Sequence, residues 1–207
     1  MSDVWPIVHA ERAALIADLE PLTDAQWDTP SLCEGWSVHD VVAHIIDTAL
    51  TTRLGFVLGL ARARFDFDRQ NADGVERERG ADPATTLLTL REVAGRTWTP
   101  PAPMDSRIVE MVVHGEDIRR PLGIIRHYPP DAVVRALQLQ ARTKVGFGGA
   151  KEHLAGVHVV AIDSDVALGT GPAVTGTTLS LLLALSGRRV ALADLDGPGV
   201  TVLANQL

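Results

Sequence analysis

The chain contains 207 residues, enough for one large domain or two small ones with a buried core. Its 46% hydrophobic and 22% charged residues are ordinary for a globular protein. A formal net charge of −7 argues against nucleic acid or an anionic membrane as a partner, because both require clustered lysine and arginine.

The lack of a recognisable targeting signal and the low cysteine content favour a cytoplasmic location. No run approaches the roughly 18 apolar residues of a membrane span, and the first residues lack the basic start and apolar core of a signal peptide. A single cysteine, Cys33, excludes an internal disulfide and fits a reducing compartment. Of the 19 basic residues only Lys144 and Lys151 are lysines, a bias typical of a GC-rich genome.

Four segments in the first 123 residues have apolar residues at helical spacing. They span residues 3–20, 37–60, 82–98 and 107–123. Asp82 and Pro83 are typical of the N-cap and first position of a helix. The charged segment 64–80 is predicted to be a solvated connection, in which a short helix is possible. Together these segments predict a four-helix bundle.

The second of these helices has the clearest start. Ser37 suits the N-cap, Asp40 can return the capping bond, and Trp36 and Val41 can pack as a hydrophobic staple. His39 is expected to be exposed in the first turn. His44 falls beside the apolar stripe, where its side chain can reach the bundle interior.

Beyond a fifth helix at residues 131–143 the pattern becomes short and strand-like. Segment 156–163 reads as a strand, 166–174 reads as a second strand with turns, and 177–186 reads as an apolar helix closed by Gly187. The predicted fold class is therefore α+β: a helical bundle in residues 1–145 followed by a small α+β domain in 146–207.

Glu110 and His114 form the most informative pair. They lie four residues apart, so both side chains project from one face of their helix. A carboxylate and an imidazole placed this way supply half of a two-histidine, one-carboxylate metal site. Alternatively, Arg107, Glu110, His114 and Asp117 line a solvent face, with an exposed pair worth about 0.3–0.5 kcal/mol.

Two stretches, 32–44 (LCEGWSVHDVVAH) and 110–117 (EMVVHGED), resemble the mycothiol-dependent maleylpyruvate isomerase family of the DinB/YfiT-like superfamily. This resemblance implies a four-helix bundle that holds a divalent metal, usually zinc. One histidine of the second helix and a glutamate and a histidine of the fourth helix would bind it. On this chain those positions are His44, Glu110 and His114. Residues 169–188 resemble the small C-terminal domain of the family.

The resemblance also implies mycothiol as a thiol cosubstrate. Three protein ligands leave one metal position open, as in catalytic zinc sites, and a thiol bound there loses its proton. The thiolate would attack a small electrophile, for isomerisation or S-transfer. Asp117 is predicted either to accept a hydrogen bond from the ring N–H of His114 or to pair on the surface with Arg107 or Arg120.

Several alternatives stay open. Arg188 is a candidate for binding a carboxylate of substrate or cofactor, or else a solvated helix end. Cys33 is predicted to be a small buried hydrophobe without a partner base. The function could instead be that of a metal-dependent hydrolase with a metal-bound water, or of a non-catalytic metal- or small-molecule-binding protein. A homodimer is possible in each case.

Overall fold

A computed structural model describes residues 3–207, which form two compact units. One unit ends at Arg126, and the other runs from His127 to Leu207. The predicted fold class is confirmed: a helical bundle precedes a small α+β unit with a three-stranded sheet. The expected boundary between residues 145 and 146 lies inside the second unit, because the helix Pro130–Arg142 packs on a later helix of that unit.

The first unit is built from helices. Their bounds are α1 Trp5–Leu19, α2 Asp24–Trp27, α3 Val38–Leu50, α4 Arg53–Arg62, α5 Phe67–Glu78, α6 Pro83–Val93 and α7 Ser106–Arg119. Helix α3 packs against α6 and α7, and α1 packs against the same two helices. These four helices correspond to the four amphipathic segments predicted from the sequence.

One apolar core joins these helices. It contains Val8, Leu15, Leu19, Trp27, Val38, Val41, Val42, Ile45, Ile46, Ala49, Leu90, Val93, Met111 and Ile118. Burial of each large aliphatic side chain contributes about 1.5–3 kcal/mol to folding. The N-terminus of α3 has the predicted capping box, in which the Ser37 side chain accepts from Asp40 N and the Asp40 carboxylate accepts from Ser37 N.

The structure departs from the sequence prediction between residues 51 and 80. The second predicted helix ends at Leu50, and a separate helix, α4, begins after Thr52, whose side chain accepts from Gly55 N. The segment predicted as a solvated connection contains the 12-residue helix α5, capped by Asp66. Its sequence is mostly polar, and Gly74 and Val75 are its buried residues.

The second unit combines α8 (Pro130–Arg142) with β1 (His158–Ala161), β2 (Ala167–Gly169), β3 (Ala173–Gly176), α9 (Thr178–Leu185) and α10 (Val200–Ala204). Strand β1 lies centrally, antiparallel to β2 and parallel to β3. The predicted strand 166–174 is thus two short strands, which turn at Gly169 with a φ of +76°. Within residues 3–207, no helix has the length and apolar character needed to cross a membrane.

His39 is buried, so the expectation of an exposed side chain was wrong. Only 4% of the residue is exposed, because α2 and α6 close over the first turn of α3. Its Nε2 lies 2.6 Å from Thr86 Oγ1, and the Trp27 ring meets its ring edge-on at 5.3 Å. Burial lowers the pKa of His39 below its ordinary value of 6.5, and Arg79 lowers that pKa further.

We expect His39 to make the protein sensitive to mild acid. In the unfolded chain His39 binds a proton near pH 6.5, whereas in the folded chain it binds one only at lower pH. The contribution of His39 to the free energy of unfolding is therefore fully present above pH 6.5 and falls as the pH drops below that value. One such group contributes a slope of at most about 1.4 kcal/mol per pH unit. Urea unfolding between pH 7.5 and pH 5 measures this slope, which His39→Gln should reduce. An equal slope in the variant would contradict the assignment.

Candidate metal centre

Helix α7 carries its polar stripe into the interior of the first unit. Arg107, Glu110 and Asp117 are buried, and the His114 side chain is 19% exposed. The stripe is enclosed because α1 and α3 both pack on α7. The interpretation of this stripe as a solvent face was therefore wrong, and the buried charges need partners.

The structure brings His44 and His114 into contact. His44 lies on α3 and His114 on α7, and their ring centroids are 4.8 Å apart at an interplanar angle of 82°. With metal–nitrogen bonds of about 2.0–2.1 Å, two imidazoles on one tetrahedral ion have ring centres about 5 Å apart. The spacing of this pair thus suits two ligands of a single ion.

Glu110 lies one turn before His114 on α7, among positive charges. Its Oε2 is 2.8 Å from Arg107 Nη1. Its Oε1 is buried and has no hydrogen-bond partner within residues 3–207. Burial lowers the pKa of Arg12, which the negative charge of Glu110 raises and the positive charge of Arg107 lowers. Glu110 therefore offers one carboxylate oxygen while the other is paired.

Asp117 contacts the Nδ1 edge of the His114 ring. Its Oδ2 is 2.9 Å from His114 Nδ1, and the residue is fully buried. An ionised carboxylate only accepts hydrogen bonds, so His114 Nδ1 carries the proton and Nε2 keeps a lone pair. Of the two sequence interpretations of Asp117, the structure contains the contact with His114 and not a surface position.

Cys33 is the residue near this site that sequence reasoning missed. Its Sγ is 3.1 Å from Asp117 Oδ2 and 3.8 Å from His114 Nδ1. The possible ligand atoms of Cys33, His114 and Asp117 all lie within 4.8 Å of one another. This group shares His114 with the predicted set but contains Cys33 and Asp117 in place of His44 and Glu110. No local sequence pattern predicts this group, because the contact joins segments that lie far apart in the sequence.

The face of α3 around His44 is held in place by its neighbours. The Trp36 ring packs on the His44 ring, with centroids 5.2 Å apart. One turn before and after His44, Asp40 and Asp47 form ion pairs with arginines at the end of α5: Arg79 with Asp40 at 3.3 Å, and Arg77 with Asp47. Burial raises the pKa of Asp47, although Arg77 acts in the opposite direction.

Arg188 belongs to the second unit. It follows α9, is half-buried, and its Nη1 donates to the Ser186 carbonyl oxygen at 2.5 Å. This contact is typical of a helix C-terminus, where arginine satisfies free carbonyl groups. A role for Arg188 in binding substrate or cofactor remains a prediction.

Comparison with known proteins bears on the identity of the first unit. Residues 8–97 match the mycothiol maleylpyruvate isomerase N-terminal domain family. The match covers less than half of the chain and lies within the first unit. The resemblance inferred from the sequence is confirmed, and the matched residues include Cys33 and His44 but end before α7.

One sequence relative matches part of the chain. The "Putative metal-dependent hydrolase YfiT" of Bacillus subtilis (strain 168) is 33% identical over 101 residues. The match covers 47% of this chain and 56% of the relative, so it spans little more than half of that protein's length.

Two solved structures share the fold. The mycothiol-dependent maleylpyruvate isomerase superposes with a TM-score of 0.63 at 14% identity, covering 89% of this chain and 88% of that one. A histidine-to-alanine mutant of a mycothiol-dependent maleylpyruvate isomerase gives a TM-score of 0.66 at 13% identity, covering 94% and 91%. At these identities the likeness establishes the fold.

The predicted ligands have the donor chemistry that a divalent metal ion requires, although within residues 3–207 the group whose ligand atoms all lie within 4.8 Å of one another is Cys33, His114 and Asp117. Two imidazole rings at a suitable spacing and a buried carboxylate oxygen without a hydrogen-bond partner provide a nitrogen–nitrogen–oxygen donor set. The bond from Asp117 to His114 Nδ1 matches the carboxylate–histidine–metal arrangement common behind such ligands.

We expect Glu110→Gln to destabilise the metal-free protein. Removal of this carboxylate leaves the buried Arg107 and Arg12 without its charge, and breaking a buried pair costs about 3–5 kcal/mol. Urea unfolding in the presence of a chelator measures the change. The matched control is Glu20→Gln, because the exposed Glu20–Arg91 pair should be worth at most about 1 kcal/mol. Equal effects of the two substitutions would contradict the charge balance described for Glu110.

Proposed function

We propose that the chain is a metal-dependent enzyme that uses a low-molecular-weight thiol, mycothiol, to isomerise or conjugate a small electrophilic substrate. His44, Glu110 and His114 are the proposed ligands, and Zn²⁺ is the proposed ion. The observation that carries this proposal is the edge-to-face contact of His44 and His114, with Asp117 bonded behind one ring and Glu110 one turn away.

Each proposed ligand has a partner that fixes its position. Asp117 holds the proton of His114 on Nδ1 and so directs Nε2 away from itself. Trp36 packs on His44. Arg107 pairs with one oxygen of Glu110. A divalent ion held by three such groups would supply a Lewis acid with an exchangeable position that lowers the pKa of a thiol or a water.

The thiol is proposed from the family and from the donor set. The domain family is that of mycothiol maleylpyruvate isomerases, and two nitrogens with one oxygen leave room for a sulfur donor. In an isomerisation the thiol would add to the substrate and leave, whereas in an S-transfer it would stay on the product. Arg188 is the proposed partner for a carboxylate of the substrate or of the thiol. The proposed location is the cytoplasm, where a low-molecular-weight thiol stays reduced.

The relative named as a metal-dependent hydrolase favours a second candidate function. The same three ligands would serve a hydrolase in which water replaces the thiol. A binding protein without catalysis would keep the metal but show no response of the metal to thiol. Whether turnover requires mycothiol distinguishes these functions.

Metal content and thiol binding test the proposal directly. We expect about one metal per chain in the purified or reconstituted protein by mass spectrometry, and loss of this metal in His44→Ala. His39→Gln is the matched control, because His39 lies on the same helix but bonds to Thr86. Metal retained in His44→Ala would exclude the proposed ligand set.

Titration of mycothiol into the cobalt-substituted protein tests the thiol. A sulfur-to-cobalt absorption band that appears on titration, together with turnover of an electrophile such as maleylpyruvate only when thiol is present, would support the thiol enzyme. Bound metal without this band, and hydrolysis without thiol, would instead support the hydrolase. Bound metal with neither activity would support the binding protein.

A further inference from the structure

The thiol of Cys33 makes a directed contact with the acidic partner of His114. Cys33 Sγ lies 3.1 Å from Asp117 Oδ2, the same oxygen that lies 2.9 Å from His114 Nδ1. Because the carboxylate only accepts, the S–H of Cys33 and the N–H of His114 both donate to it. The distance of 3.8 Å between Sγ and Nδ1 separates two donors that share one acceptor.

A braced turn holds Cys33 in this position. The Ser31 side chain accepts from Cys33 N at 3.1 Å and donates to the Trp36 carbonyl oxygen at 2.8 Å. The turn closes through Gly35, which has a φ of +78°. Leu32 N donates to the Asp117 carbonyl oxygen at 3.2 Å. The turn is therefore bonded to the backbone as well as to the side chain of Asp117.

We propose that Cys33 is a positioning residue for the metal centre, which acts through Asp117 to hold the His114 ring in its ligating orientation. This inference rests on the proposed metal function of His44, Glu110 and His114. The fully buried Asp117 side chain has a shared contact at Oδ2, and loss of the S–H donor would leave the carboxylate freer to turn away from His114. A group that orients the partner of a ligand alters metal affinity without touching the metal.

Metal affinity of four variants tests this role, with competition against a chromophoric chelator as the measurement. Direct partners of a metal-binding histidine typically change affinity by about 10–100-fold, so we expect a loss of that size in Asp117→Asn. Cys33→Ala should lose about 3–10-fold, because its effect is one contact further away. Cys33→Ser keeps a donor at the same place and should stay within about two-fold of the wild type.

The double variant Cys33→Ala/Asp117→Asn separates positioning from packing. If Cys33 acts through Asp117, its removal has no further effect on metal affinity once Asp117 is already changed. A purely structural role would lower the unfolding midpoint of the metal-free protein in both backgrounds and leave metal affinity unchanged. An unchanged affinity in Cys33→Ala, or full additivity in the double variant, would overturn the proposal.

The cobalt spectrum excludes the main rival role. If Cys33 itself bound the ion together with His114 and Asp117, cobalt-substituted wild type would show a sulfur-to-cobalt band before any thiol is added, and Cys33→Ala would lose it. We expect no such band. The His44→Ala variant identifies the failing hypothesis: full affinity in that variant overturns the proposed ligand set, whereas lost affinity with an inert Cys33→Ala overturns only the role of Cys33.

Discussion

The burial of ionisable side chains on α7 is the constraint on which the rest of the first unit depends. A buried charge without a partner costs several kcal/mol, so each group on this helix requires a neighbour of matching chemistry. Arg119 meets Asp18 of α1 at 2.7 Å, and Glu11 of α1 lies 3.9 Å from Arg119. Arg107 meets Glu110 on α7 itself. Helix α1 must therefore lie along α7, and the apolar core forms around this arrangement.

The polar residues of α7 have two different roles. Arg119 is fully buried and paired with carboxylates of α1, which is the expected state of a structural ion pair. Glu110 keeps one buried oxygen without a hydrogen-bond partner within residues 3–207, and His114 keeps one nitrogen lone pair facing away from Asp117. A buried oxygen or nitrogen lone pair without a partner destabilises a protein core unless it binds a ligand. This is the physical argument for a ligand site at Glu110 and His114.

Two chemistries converge on this donor set. Residues 8–97 match the mycothiol maleylpyruvate isomerase N-terminal domain family, and the chain shares 33% identity over 101 residues with a relative named as a metal-dependent hydrolase. Both chemistries use a Lewis acid with an exchangeable position, and they differ in whether a thiol or a water occupies it. The proposed ligands alone do not decide between them, so the response of a bound metal to thiol would be the informative property.

The sequence by itself determined the cap at Ser37, the four principal helices and the placement of Glu110 and His114 on one helix face. Each of these features depends on interactions between residues only a few positions apart. Tertiary packing alone decided the rest. Helix α5 packs on α3 and buries Gly74 and Val75, a contact that its mostly polar sequence does not indicate. His39 is buried by α2 and α6, and Cys33 reaches Asp117 across the fold. Such contacts join residues far apart in the chain, and no spacing pattern encodes them.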